Sequence, residues 1–117
     1  MEKNNSEIIE KLKLILKSME RLRESFRLEK EKVLEHPGFA ELEKLRERSR
    51  FIYQMKVAEY LRDTKKLKIR IAHNQSQMEE AEDLAELCRD EAMQLQAHFV
   101  STPNRLIRVY RAENPFD

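Results

Sequence analysis

From Ile8 onward, apolar side chains recur at alternating steps of four and three residues. Ile8, Leu12, Ile15, Met19, Leu22, Phe26 and Val33 hold the repeat, and Glu29 alone interrupts it. This spacing predicts an amphipathic helix over about 6–35. Asn4 followed by Glu7 predicts its cap, with an acid at the third helical position. Ile9 and Leu16 flank the stripe and widen it, which is the face of a bundle helix rather than a bare zipper seam. At 1.5 Å per residue the helix is roughly 43–45 Å long. His36-Pro37-Gly38 ends it.

Leu42, Leu45 and Ile52 open a second stripe. A further 4-3 repeat then runs Tyr53, Val57, Tyr60, Thr64, Leu67, Ile71, Asn74, Met78, Ala81, Ala85, Cys88, Ala92, Leu95, Phe99. Alone, it permits one helix of about 60 residues, roughly 90 Å. Two features favour a break. Asn74-Gln75-Ser76-Gln77 is a polar cluster, and Ser76 with Glu79 forms a capping box before renewed periodicity. The charges agree. Lys65, Lys66, Lys68, Arg70 and His73 stand where a helix C-terminus prefers cations, and Glu79, Glu80, Glu82 and Asp83 where an N-terminus prefers anions. The expected helices are therefore about 39–73 and 77–101. Continuous helix through 72–77 would give a long dimeric coiled coil instead.

After Phe99 the pattern stops. Ser101-Thr102-Pro103 predicts a helix end and a new start, with Thr102 as cap and Pro103 at the first position. Residues 104–117 then form a C-terminal arm or short fourth helix, with Ala112–Asp117 as a disordered tail. If helical, Arg105, Arg108 and Arg111 make one row. The fold class expected is all-α, an elongated antiparallel three-helix bundle or coiled coil (1–103) with a short C-terminal arm.

Composition narrows the picture. The chain has 117 residues, one glycine, three prolines and no tryptophan. A single glycine excludes folds that need repeated backbone at positive φ, such as P-loops and hairpin-rich sheets. With 38% charged and 7% aromatic residues, only a thin core is available. The lone Cys88 fits a reducing, cytoplasmic setting. The N-terminus is polar without a leader's apolar region, and the longest apolar runs are triplets such as Leu14–Leu16, far below a membrane span.

The net charge of +1 hides an asymmetry. Residues 37–75 carry ten basic and five acidic side chains, net +5, while 76–102 carry one and seven, net −6. Folded back antiparallel, these segments attract along their length. Exposed pairs are worth only a few tenths of a kcal/mol each, so they select partners and register more than they stabilise. Two chains exchanging segments would satisfy the same complementarity. Within helices, Glu10–Lys13, Glu20–Arg23, Glu24–Arg27, Glu41–Lys44 and Glu59–Arg62 read as solvated faces.

No constellation points to catalysis. His36, His73, His98 and Cys88 share no metal-ligand spacing. The residues three before the histidines are Val33, Arg70 and Leu95, so no Glu-x-x-His motif exists. Cys88, between Ala85 and Ala92, reads as a small core residue. Paired acids such as Glu79/Glu80 lack the pocket that acid–base work requires. Neither enzymatic activity, a metal nor a cofactor is expected.

Binding is the better expectation. The apolar residues left over from the core stripes are Leu14, Leu28, Leu34, Phe51, Leu61, Leu84 and Leu87, joined by Leu106, Ile107, Val109, Tyr110 and Phe116. They predict a protein–protein interaction module, an adaptor, scaffold, complex subunit or small helical chaperone working by helix-in-groove or coiled-coil pairing. Self-association would use the same faces. The alternative is a nucleic-acid- or ribosome-associated protein using Arg62, Lys65, Lys66, Lys68 and Arg70, with Arg46, Arg48 and Arg50 upstream. On a helix those cations spread over several faces. At the C-terminus, Asn114-Pro115-Phe116-Asp117 resembles the NPF peptide bound by EH domains of eukaryotic endocytic adaptors, which implies an Asn-Pro turn presenting Phe116 to a pocket. In size and helical composition the chain resembles small coiled-coil chaperones and complex subunits, the tubulin-binding cofactor A type among them.

Overall fold

The computed structural model describes residues 2–116, and side chains from Asn5 onward. Helix α1 spans Glu2–Glu35. After a turn at His36–Gly38 the chain returns as α2, Phe39–Arg48, a π-helical turn, Ser49–Tyr53, and α3, Gln54–Arg70. These three pieces form one rod. A second turn leads into α4, Gln75–Glu113. The three rods pack up, down and up in an elongated all-α bundle of 64 × 18 × 17 Å. Its 39-residue α4 is about 58 Å long, so it runs nearly the whole length. Its first half lies against α3, its second against α2, and α1 packs along it.

The core is the 4-3 repeat made physical. Ile8, Leu12, Met19, Leu22 and Phe26 of α1 are buried against Val57 and Leu67 of α3 and Ala81, Cys88, Ala92, Leu95 and Phe99 of α4. The small residues of α4 lie toward one end, where they admit close helix approach. The aromatic residues gather in the other half. Phe26 meets Tyr53 edge-on at 5.6 Å between centroids and Phe99 at 5.0 Å.

The second rod is where the repeat changes phase. Leu42, Leu45 and Ser49 are buried, and the next residue to turn inward is Tyr53 rather than Ile52. Ile52, expected in the opening stripe, is exposed. The π-helical turn inserts one residue between the two stripes and rotates everything after it. The neighbouring Ile52 and Tyr53 at the junction of two repeats were the trace of that slip. The Ser49 hydroxyl is buried there without a hydrogen-bond partner.

Several expected boundaries move. Asn4 lies inside α1, which begins at Glu2, so it is not the cap. The start of α1 is held by tertiary contact instead. Asn5 is buried, and its amide donates to the Ala72 carbonyl at 2.8 Å and to Gln77 Oε1 at 2.9 Å. Its Oδ1 accepts from the Ala72 N–H at 3.4 Å. The chain does turn between Arg70 and Gln75, but Ser76 is not the cap. Asn74 is, accepting from the Gln77 N–H at 3.0 Å, and α4 starts at Gln75. Asn74, placed in the core stripe by the repeat, leaves it to cap, and Met78 is exposed.

The expected stop at Ser101–Pro103 is absent, because α4 continues through Pro103 to Glu113. A mid-helix proline costs about 3 kcal/mol through the lost hydrogen bond and the clash with the preceding turn. Thr102, Pro103 and Ile107 are buried and Leu106 is packed on the core. Each large apolar side chain so buried contributes roughly 1.5–3 kcal/mol, which offsets the proline. Thr102 stands at the next core step after Phe99, and its polarity hid the continuing repeat. There is thus no separate arm. Asn114 closes the helix, its N–H and its side-chain amide both donating to the Tyr110 carbonyl. Pro115 and Phe116 form a turn. The last expected tail residue, Asp117, lies outside the described residues.

Candidate interaction surfaces

The apolar residues left out of the core divide into two groups. Leu14, Leu28, Leu34, Phe51, Leu87, Val109 and Phe116 are exposed. Leu61, Leu84, Leu106 and Tyr110 are half-buried, the first three packed on the core. Ile107 is a correction, since it is buried at 3% exposure and belongs to the bundle interior. Ile69, outside the expected set, is at 82% among the most exposed large apolar residues. Its signal was present, because it stands two residues after the core residue Leu67 and so on the outer side of the helix.

Four of these residues meet at one end of the bundle. Leu34 on α1 and Leu106, Val109 and Tyr110 on α4 line a groove of about 260 Å³ with Pro37, Leu42, Glu113 and Asn114. The turn at Pro37 brings the end of α1 beside the end of α4. Arg111 lies over the Phe39 ring at 4.9 Å from its centroid, which fastens the tip of α4 to α2. Phe116 follows, fully exposed.

A second groove of about 350 Å³ runs between α1 and α3. Lys11, Leu14 and Ile15 form one wall and Asp63, Lys66, Leu67 and Arg70 the other. The antiparallel course of α1 and α3 joins the N-terminal half of the first helix to the basic run near the end of the second. Arg62 and Lys65 are exposed outside this groove, and Lys68 is turned toward α4, where its Nζ lies 2.9 Å from Glu82. The five cations thus divide among three settings.

The cross-helix ion pairs follow the seams. Besides Lys68–Glu82, Arg23 pairs with Glu91 at 2.6 Å, Lys13 approaches Glu80 at 4.0 Å, and Arg48 holds Glu29 at 2.7 Å. Glu29, the interruption of the α1 repeat, sits beside the buried Tyr53. Burial first, and then Glu29, push the Tyr53 phenol up to about 12, while Arg48 opposes them. Of the expected intrahelical pairs, Glu10–Lys13 and Glu24–Arg27 form. Arg23 turns to Glu91 instead of Glu20.

Cys88 and His98 are packed into the bundle. Cys88 is fully buried, and its Sγ–H points to the Leu12 carbonyl at 3.7 Å. Burial raises its pKa, against smaller opposing effects of Thr64 and Arg89, which favours the unreactive thiol. His98 lies edge-on to Phe26 at 5.0 Å, and its Nδ1 is 3.0 Å from the Thr102 hydroxyl. Burial, and then Lys30, Arg23 and Arg105, hold its pKa below the ordinary imidazole value. His36 and His73 are exposed at the two turns. Among the described residues no group of three or more His, Cys, Asp or Glu side chains is arranged to hold a metal ion. No helix there is long and apolar enough to cross a membrane. In comparisons with known proteins, no family model, no curated protein and no solved structure matches this chain.

Proposed function

We propose that the chain is a non-catalytic protein–protein interaction module, an adaptor, complex subunit or small helical chaperone, whose docking end is the C-terminal part of α4 with the α1–α2 turn. The observation that supports this reading is the groove in which Leu34, Leu106, Val109 and Tyr110 stand beside Glu113 and Asn114, with the fully exposed Phe116 beyond it. An amphipathic partner segment would bury its anchors there. The Asn114-Pro115-Phe116 turn offers a second contact of the NPF type.

Removing 104–117 would strip Ile107 from the core, so point changes are the cleaner probe. Val109→Asp and Phe116→Ala alter exposed side chains and should leave folding intact. Crosslinking capture in the source cell should lose its partners with Val109→Asp. Loss with Phe116→Ala alone would assign contact to the terminal turn. Identical capture by wild type and both variants would sink this assignment.

The second reading is nucleic-acid association through Arg62, Lys65, Lys66, Lys68 and Arg70. It is favoured by the exposure of four of them and by Lys11 standing across the groove from Lys66 and Arg70. The pairing of Lys68 with Glu82 opposes it. Phosphate binding would fall steeply between low and moderate salt, whereas an apolar contact would persist.

A further inference from the structure

We propose that folded copies of this chain associate head to tail, with the outer acidic ridge of α4 in one copy seated in the basic α1–α3 groove of the next. This concerns a different surface from the C-terminal docking end and stands or falls separately from it.

The groove places an exposed leucine among cations. Lys11, Lys66 and Arg70 surround Leu14, and none of the three makes an ion pair among the described residues. Asp63 is the one carboxylate in the lining. The ridge has the inverse composition. Asp83, Glu86 and Asp90 surround Leu87, are exposed, and make no ion pair among the described residues either. Leu14 and Leu87 are 57% and 54% exposed, which leaves each available as an anchor.

The unpaired state of the ridge reflects its position rather than a general lack of partners. The acids of α4 that border the bundle seams, Glu80, Glu82 and Glu91, meet Lys13, Lys68 and Arg23. The acids around Leu87 are left over. The two surfaces also match in length, since Asp83 to Asp90 and Asp63 to Arg70 each span seven helical steps, about 10 Å. A net charge of +1 adds no general repulsion between copies.

Placement sets the symmetry. Because α4 packs on both α1 and α3, its outer ridge faces away from the α1–α3 groove. One copy cannot fill its own groove, and the contact joins two different patches. Such a heterologous contact propagates into open chains or a ring rather than closing as a two-fold dimer. Being built from exposed charges, it is weak and salt-sensitive.

Sedimentation velocity on the full chain over a range of concentrations, at low and high salt, tests this. Wild type should form dimers and larger species that grow with concentration and dissociate as salt rises. A groove variant, Lys66→Glu/Arg70→Glu, and a ridge variant, Asp83→Asn/Glu86→Gln/Asp90→Asn, should each be monomeric with unchanged circular dichroism. Their mixture should form a 1:1 complex and nothing larger, since one intact ridge and one intact groove remain. Val109→Asp should assemble as wild type does. A wild type that stays monomeric at low salt overturns the proposal, as does an assembly indifferent to both variants. A monomer that binds a single-stranded oligonucleotide through Lys66 and Arg70 assigns the groove to phosphate instead.

Discussion

At the α1–α2 turn, Pro37 and Gly38 break the helix through their own covalent chemistry. At the α3–α4 turn neither residue is present, and the break is assembled from distant parts. Ile71 ends α3 in an extended conformation, His73 takes φ of 64°, and Asn74 caps α4. Asn5, 67 residues away from Ala72, holds the turn by both its N–H and its carbonyl. A turn of the first kind is a local property of the sequence. The second depends on the bundle being formed, so its stability is tied to the docking of α1.

That contrast is open to attack, most forcefully at Asn5. Asn5→Ala removes the partner of the Ala72 N–H and carbonyl and of Gln77 together. With about 1–3 kcal/mol for a buried polar group left unpaired, the loss should be about 2–3 kcal/mol. Urea unfolding would measure it, with faster proteolysis at 71–74 as a local readout. A loss under about 0.5 kcal/mol, the size of an ordinary surface change, would mean that the turn needs no clamp.

The left-handed residue comes next. His73→Val places a β-branched side chain at positive φ and should cost about 1–2 kcal/mol. His73→Gly should be neutral or slightly stabilising, because relief of strain is offset by the greater freedom of glycine in the unfolded chain. Equal melting temperatures for the two variants would show that the turn relaxes to another conformation. Asn74→Ala, removing the cap of α4, should cost about 1 kcal/mol. Ser76→Ala, at the residue the capping-box pattern selected, should cost less than half of that.

These sites also mark how far the sequence could be read. Strong periodicity made the three rods legible, because Ile8 to Phe26 and Ala81 to Phe99 bury on one face whatever their neighbours do. The charge reversal located the second turn to within a few residues. What the pattern concealed was tertiary. The cap pattern picked out Asn4, while its neighbour Asn5, which no pattern marked, is a buried clamp. Pro103 looked like a stop and is carried inside a helix by the burial around it. The one-residue slip at Ile52–Tyr53 was visible, yet its meaning as a π-helical turn depends on which side of Tyr53 meets Phe26. Of the α1–α3 groove, Leu14, Lys66 and Arg70 were each singled out. Their meeting with Lys11 required the register between helices 55 residues apart.

The smallest expected effect lies at the first turn and sharpens the comparison most. Replacing Pro37 by alanine gives the unfolded chain more freedom, and proline at a compatible site is worth about 0.4–1 kcal/mol. Gly38 remains to cap α2 in its extended conformation, with its carbonyl still accepting from the Leu42 N–H at 3.0 Å. Pro37→Ala should therefore cost roughly 0.5 kcal/mol, a quarter or less of the Asn5 effect. If Pro37→Ala destabilises as much as Asn5→Ala does, the first turn is also held by tertiary contacts. Pro37 lines the C-terminal groove beside Leu106 and Val109, so those contacts would be with α4. A double-mutant cycle of Pro37→Ala with Leu106→Ala separates the two cases. Additivity within about 0.5 kcal/mol keeps the turn local, and a larger coupling makes it a part of the bundle's closing end.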